Sequence, residues 1–162
     1  MENILVSACL MGVPVRYNGK SLGLQPDDLV WLKQRFNLMT FCPEVSAGLP
    51  TPRAPAEIKG GEGADVLLGA ARVQDNTGVD QTAAFVRGAE QALAFCRAHN
   101  IRYAILAEAS PSCASSTIYN GRFSGEKIPG QGVTAALLRR HGICVASQHT
   151  ISVIKAQPGC TE

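Results

Sequence analysis

Short apolar runs alternate along the chain with longer segments whose apolar residues recur at helical spacing. The runs typical of buried strands cover residues 4–8, 38–41, 65–73, 103–108 and 143–147. Helical spacing covers residues 25–36, 82–99 and 133–140, and is clearest where Phe85, Ala89, Leu93 and Cys96 share one face. Strands that alternate with helices predict an α/β fold, with a mostly parallel, Rossmann-like sheet covered by helices on both faces.

The length of 162 residues predicts a single domain over residues 1–162, with residues 151–162 an ambiguous tail. A hydrophobic share of 46% and a charged share of 17% exclude a disordered chain. The apolar runs are too short to cross a membrane, and the first 30 residues lack a signal-peptide pattern, so we expect a cytoplasmic protein. The net charge of +2, without clustered Lys and Arg, predicts no nucleic-acid partner.

The chain has six cysteines, and no two of them form a Cys-x-x-Cys pair. In a reducing compartment such cysteines indicate metal binding or catalysis rather than disulfides. Cys9, Cys42 and Cys113 each follow a predicted strand, and the carboxyl ends of parallel strands share one edge of a sheet. Each also begins a long irregular segment, and such segments are usually functional or disordered. The three cysteines are therefore candidates for one site.

The other three cysteines have different surroundings in the sequence. Cys96 lies on the apolar face of its predicted helix and Cys144 lies within an apolar strand, so both are expected in the core. Cys160 lies in the tail, where a free thiol is expected.

Motifs around the three candidate cysteines are specific in combination, although none is specific alone. They are Ser7-Ala8-Cys9-Leu10-x-Gly12, Cys42-Pro43-Glu44, Gly48-Leu49-Pro50-x-Pro52-Arg53-x-Pro55-x-Glu57 and Ser110-Pro111-Ser112-Cys113. With Gly78-x-Asp80-x-Thr82 and Gly130-x-Gly132-Val133, they make the chain resemble the thiouracil desulfurase family as far as about Gly142.

The resemblance implies a [4Fe–4S] cluster held by Cys9, Cys42 and Cys113, with the fourth iron open to the sulfur of the substrate. It further implies that Glu44 is the catalytic acid/base carboxylate and that Ser110 is the active-site serine. The implied reaction is non-redox removal of sulfur from 2-thiouracil, or a similar thiolated pyrimidine, to give the oxo compound and sulfide. Thiolates are the usual ligands of such clusters, and an open iron is a Lewis acid that suits a soft sulfur.

Further candidates lie in the loops after Cys9 and Cys42. Arg16 and Tyr17 are candidates for substrate binding, since an aromatic ring there could stack on a pyrimidine. Arg53 could balance the charge of the cluster or bind substrate, and Glu57 could pair with Arg53.

The chain departs from the family pattern at two places. Ala114 follows Cys113 where relatives commonly have Gly, and Ala107-Glu108-Ala109 stands where relatives often have basic residues. Lost basic groups, with the charge of Glu108, predict a weaker preference for phosphorylated substrates and favour a thiolated base or nucleoside.

Two other interpretations stay open on the sequence. One is a metal-free thiol enzyme with a reactive Cys113, although no His, Lys or Arg stands close in sequence to lower the pKa of the thiol. The other is a non-catalytic zinc module, although structural zinc normally has four protein ligands and no convincing fourth ligand is evident. The sequence leaves the oligomeric state open.

Overall fold

The computed structural model describes residues 1–157. Its strands are β1 (Glu2–Ser7), β2 (Phe36–Phe41), β3 (Ala56–Lys59), β4 (Arg72–Asp75), β5 (Tyr103–Leu106), β6 (Thr117–Tyr119), β7 (Lys127–Pro129) and β8 (Cys144–Ser147). Its α-helices are α1 (Pro26–Arg35), α2 (Pro43–Ser46), α3 (Gly63–Leu67), α4 (Thr82–Ala98), α5 (Val133–Arg140) and α6 (Ser152–Lys155).

The central sheet has the strand order β2-β1-β5-β8, and all neighbouring strands in it are parallel. The chain first moves outward from β1 to β2, then crosses back over β1 to reach β5 and β8. The order therefore reverses between β1 and β5, and open parallel sheets bind their ligands at such a reversal. This sheet confirms the α/β class expected from the sequence.

Helices flank the sheet on its two faces, as the alternating pattern predicts. On one side, α1 and α6 are joined where the Lys155 ammonium donates to the Asp28 carboxylate at 3.1 Å. On the other side, α4 packs along α5, the short helix α2 lies against α4, and the short helix α3 lies against both α4 and α5. No helix within residues 1–157 is long and apolar enough to span a bilayer.

The core follows directly from the apolar runs. β5 is buried along its whole length, as are Ile4, Leu5 and Val6 of β1, because helices cover these central strands. Cys96 is fully buried on the inner face of α4, so its predicted role in the core is confirmed. Cys144 of β8 is half-buried and packs against the core.

The prediction of one strand over residues 65–73 is wrong. The first part of this segment is α3, which begins with a capping box in which the Glu62 and Asp65 side chains accept from each other's backbone N–H. Val66 then buries its side chain as a helical residue, and Gly69 turns the chain with a φ of 80° before β4 begins. The capping box thus favours a helix in this segment, although the apolar run alone predicted a strand.

β3 and the β6–β7 hairpin lie in segments that we expected to be irregular, whereas β4 begins within the run over residues 65–73 that was predicted as a strand. β3 pairs antiparallel with β4, and β6 pairs antiparallel with β7. Within the ambiguous tail, Ser152–Lys155 form α6, and Cys160 lies outside the described residues.

Candidate active site

A cavity of about 630 Å³ opens at the carboxyl edge of the central sheet, at the reversal between β1 and β5. Every site residue predicted from the sequence lines it: Cys9, Cys42, Cys113, Glu44, Ser110, Arg16, Tyr17 and Arg53. The fold thus brings together residues that lie more than a hundred positions apart in the sequence. Its volume is within the usual range for a small-molecule site.

Cys9 lies in a single 3₁₀ turn, Ala8–Met11, that follows β1 without a break. The turn ends at Gly12, whose φ of 86° suits a residue without a Cβ. Downstream, the N–H of Leu22 donates to the Cys9 carbonyl at 2.8 Å and folds the loop back over the turn. The loop that carries Arg16 and Tyr17 is thereby held beside Cys9.

Cys42 is the residue immediately before α2, where Pro43 begins the helix. The backbone N–H groups of Val45 and Glu44 donate to the Cys42 sulfur. Helix α4 approaches so closely that a side chain at Gly88 would collide with the Pro43 carbonyl. This packing fixes α2 against α4, and with it the position of Glu44.

Cys113 is presented by a turn that Ser110 stabilises. The Ser110 Oγ accepts from the N–H groups of Ser112 and Cys113, each at 3.1 Å. The start of α5 lies against this turn so tightly that a side chain at Gly132 would collide with the backbone of Ser112. Ser110 therefore shapes the Cys113 turn, and its hydroxyl proton remains able to donate into the cavity.

Burial raises the pKa of all three thiols. It raises the pKa of Cys9 to about 11, with the neighbouring Cys42 adding to the effect. The pKa of Cys42 is raised by burial, and that of Cys113 by burial and then by Cys42 and Glu44. Cys42 therefore lies close enough to Cys9 and Cys113 to affect both thiols, and all three line the same cavity. A nucleophilic cysteine needs a lowered pKa, so this arrangement does not favour the metal-free thiol enzyme.

The donor set fits an iron–sulfur cluster. Bound metal ions replace thiol protons, so three cysteines that line one cavity, and whose thiolate forms burial disfavours, suit a cationic guest. Within residues 1–157, no three His, Cys, Asp or Glu side chains surround a point where one metal ion could bind. A cluster does not require such a point, because each thiolate binds a different iron.

Glu44 forms an ion pair with Arg53 inside the cavity wall. The Arg53 guanidinium also donates to the carbonyl oxygens of Val15 at 3.1 Å and Pro50 at 3.0 Å. The side chains of Arg53 and Glu44 are only 8% and 15% exposed. The expected pairing of Arg53 with Glu57 is therefore wrong, because the loop after Cys42 turns Arg53 back toward Glu44.

Arg16 and Tyr17 form an outer part of the wall. The Arg16 guanidinium lies 5.8 Å from the centre of the Tyr17 ring, which is consistent with a cation–π contact. Tyr17 is 41% exposed, so its ring is available to a ligand at the mouth of the cavity.

Several lining residues were missed by the sequence analysis. Ser7, at the end of β1, donates to the Cys113 sulfur and accepts from the Ala107 N–H at 3.0 Å. Tyr119 and Phe123, from the β6–β7 hairpin, supply further aromatic wall. The only sequence signal for that hairpin is Gly121 and Gly125 beside strands of three residues, which is too short for a periodicity argument.

Glu108 lines the cavity, but its carboxylate accepts hydrogen bonds from neighbouring protein groups. It accepts from the Ser115 hydroxyl at 2.5 Å and from the N–H groups of Ser116 at 3.0 Å and Thr117 at 2.9 Å. These hydrogen bonds stabilise residues 115–117. The structure therefore does not support the expectation that the charge of Glu108 repels anionic substrates. Ala114 is fully buried, and its methyl group is accommodated beside the Cys113 turn.

The fold and the cavity define a class of protein with a thiol-lined site at the edge of a parallel sheet. The sequence profile of the family described as 2-thiouracil desulfurase matches residues 4–150, so the chain belongs to that family. It is 45% identical to the uncharacterized protein YbbK of Bacillus subtilis (strain 168) over 151 residues, which are 93% of this chain and 99% of that protein. Among solved structures it is similar to the [4Fe-4S]-dependent thiouracil desulfidase TudS, with a TM-score of 0.82, 50% identity and 94% of each chain covered.

Proposed function

We propose that this protein is a [4Fe–4S]-dependent desulfurase of thiolated pyrimidines such as 2-thiouracil. Cys9, Cys42 and Cys113 hold the cluster and leave one iron open. The net reaction is hydrolytic: a thiocarbonyl and water give a carbonyl and hydrogen sulfide, so no oxidant or reductant is consumed. The observation that carries the proposal is the convergence of three cysteines and Glu44 on one cavity.

When bound, the cluster supplies a Lewis-acidic iron with affinity for soft sulfur, which makes the thiocarbonyl carbon a better target for water. Glu44 lies two residues after a ligand, so its carboxylate can take a proton from the attacking water. Arg53 holds that carboxylate in one orientation through their ion pair. Ser110 directs its hydroxyl proton toward the substrate, and the Tyr17 ring packs on the flat base.

The size and lining of the cavity favour a free thiolated base or nucleoside as substrate. Aromatic rings of Tyr17, Tyr119 and Phe123 in its wall suit a planar heterocycle. Free thiols and an open-iron cluster both require a reducing compartment, so we propose that the enzyme works in the cytoplasm as one domain over residues 1–162.

The test is anaerobic purification followed by assay on 2-thiouracil. We expect brown protein that contains iron and sulfide, and one equivalent of free sulfide for each uracil formed. In oxygen-18 water the new carbonyl oxygen should carry the label, because water supplies it in the balanced reaction. Iron-replete protein that releases no sulfide from any thiolated pyrimidine would refute the proposal.

A further inference from the structure

The carboxylate of Glu57 lies on the cavity wall, and within residues 1–157 only one of its two oxygens accepts hydrogen bonds. Glu57 is the second residue of β3, is 8% exposed, and lines the cavity. Its Oε1 accepts two backbone N–H groups, from Gly121 at 2.9 Å and Phe123 at 3.2 Å. Its Oε2 has no hydrogen-bond partner within residues 1–157, and it is not one of the side-chain atoms sealed from solvent without a partner.

The two bonds to Oε1 fix the carboxylate in one orientation. The loop between β6 and β7 lies so close to β3 that a side chain at Gly121 would collide with the Ile58 carbonyl. The same loop places Phe123, with a φ of 53°, in the cavity wall. Loop and carboxylate thus hold each other in place, and Oε2 is a preorganised acceptor.

The other carboxylates of the cavity have side-chain partners, which Glu57 lacks within residues 1–157. Glu44 is paired with Arg53, and Glu108 accepts from residues 115–117. Asp75 accepts from the Thr77 hydroxyl at 2.6 Å and from the Val79 N–H at 3.0 Å. Glu57 differs from these carboxylates in that, within residues 1–157, only backbone N–H groups hold it, so no cation or hydroxyl pairs with it and its Oε2 can take a hydrogen bond from a ligand without losing one from the protein.

We infer that Glu57 selects and orients the substrate by accepting a ring N–H of the thiolated pyrimidine through Oε2. The inference rests on the proposed function and names the recognition element of the same site. A pyrimidine thione carries a ring N–H beside its thiocarbonyl, and a bond from that N–H to a carboxylate is stronger than one between neutral groups. Substrate binding displaces water from Oε2, so only a ligand with an N–H to donate avoids leaving a desolvated carboxylate unpaired.

The test is Glu57→Gln, because glutamine keeps an Oε1 acceptor for the loop and replaces Oε2 with an N–H₂ group that repels a ring N–H. On 2-thiouracil we expect a fall of about 10- to 100-fold in kcat/KM, carried mainly by KM. Iron content and melting temperature should match the wild type. The matched control is Glu126→Gln, a change on the same hairpin at an exposed carboxylate outside the cavity, which should leave KM unchanged.

Two further measurements separate recognition from structure. Calorimetric binding of uracil, which carries the same ring N–H groups, should weaken by a similar factor in Glu57→Gln. A 2-thiouracil methylated at both ring nitrogens has no ring N–H, so the variant should handle it at least as well as the wild type does, because only the wild type buries an unpaired carboxylate. A wild-type KM and wild-type uracil affinity in Glu57→Gln would overturn the inference, as would an equal penalty on the dimethylated compound.

The outcome also distinguishes this inference from the proposed function. If the wild type releases no sulfide but its uracil binding depends on Glu57, the proposed reaction fails and the recognition role stands. If the wild type desulfurates 2-thiouracil and Glu57→Gln is indistinguishable from it, the reaction stands and the recognition role fails.

Discussion

The guanidinium of Arg53 joins the Glu44 carboxylate to the loop that follows Cys9. It pairs with Glu44 and donates to the Val15 carbonyl, so one side chain connects the segments after β1 and β2. The backbone N–H of Arg53 also donates to the Tyr17 carbonyl at 2.6 Å. The candidate base and the loop of Arg16 and Tyr17 are therefore held by the same residue.

Replacing Arg53 should destabilise the protein and disturb catalysis together. Arg53→Met leaves the Glu44 charge buried and unpaired, and breaking a buried pair in this way costs about 3 kcal/mol. We expect that loss in the free energy of unfolding, measured in denaturant. Adding Glu44→Gln to Arg53→Met should recover part of it, because no unpaired charge then remains. Strictly additive losses would show that the ion pair is not what stabilises this wall.

Glu44→Gln should retain the cluster and lose at least about 100-fold in kcat, the low end for general acid–base catalysis. Glutamine keeps the shape of the side chain and removes its ability to take a proton. Iron content and turnover, measured on the same sample, separate the two effects. The matched control is Glu90→Gln on the exposed face of α4, which should behave as wild type. Full turnover in Glu44→Gln would show that Glu44 has only a structural role in α2.

Alanine substitution of Cys9, Cys42 or Cys113 should each remove most of the bound iron, because the cluster then loses one of three protein ligands. Cys96→Ala is the matched control, since Cys96 is a buried cysteine that lies within α4 and does not line the cavity. Iron and acid-labile sulfide per chain are the measurements. A full iron content in any of the three site variants would remove that cysteine from the ligand set. Aeration with a chelator should also inactivate the wild type, because an open iron is easily lost.

The sequence predicts the central sheet and its main helices because their apolar periodicity is long. β5 and β8 fall within the predicted runs, β1 and β2 overlap theirs but begin two residues earlier, and α5 matches residues 133–140. The convergence of Cys9, Cys42 and Cys113 was also predictable, since residues at the carboxyl ends of parallel strands meet at one edge of the sheet. Residues whose role depends on contacts across long sequence distances were not, such as Glu57 bonding to Gly121. β3, β6 and β7 were not predicted because their three or four residues mix polar and apolar side chains and give no clear period, whereas β5 and β8 belong to apolar runs.

Glu108 should make the stability of the protein depend on pH in the acid range. Burial alone would raise the pKa of its carboxyl, but hydrogen bonds from the Ser115 hydroxyl and from the N–H groups of Ser116 and Thr117 outweigh it. They hold the pKa below the ordinary value of 4.5. A carboxyl whose pKa is lower in the folded state stabilises that state above the unfolded pKa, and the stabilisation is lost as the pH falls through the folded pKa.

Glu108→Gln should therefore be less stable than the wild type at pH 7, and the difference should shrink once the pH falls below about 4.5. The measurement is the free energy of unfolding of both proteins at a series of pH values. Comparing them at each pH cancels contributions that they share, loss of the cluster in acid included. Ser115→Ala, which removes the strongest donor, should lose part of the same pH dependence. A difference between Glu108→Gln and wild type that stays constant from neutral to acid pH would show that the carboxylate charge does not brace residues 115–117.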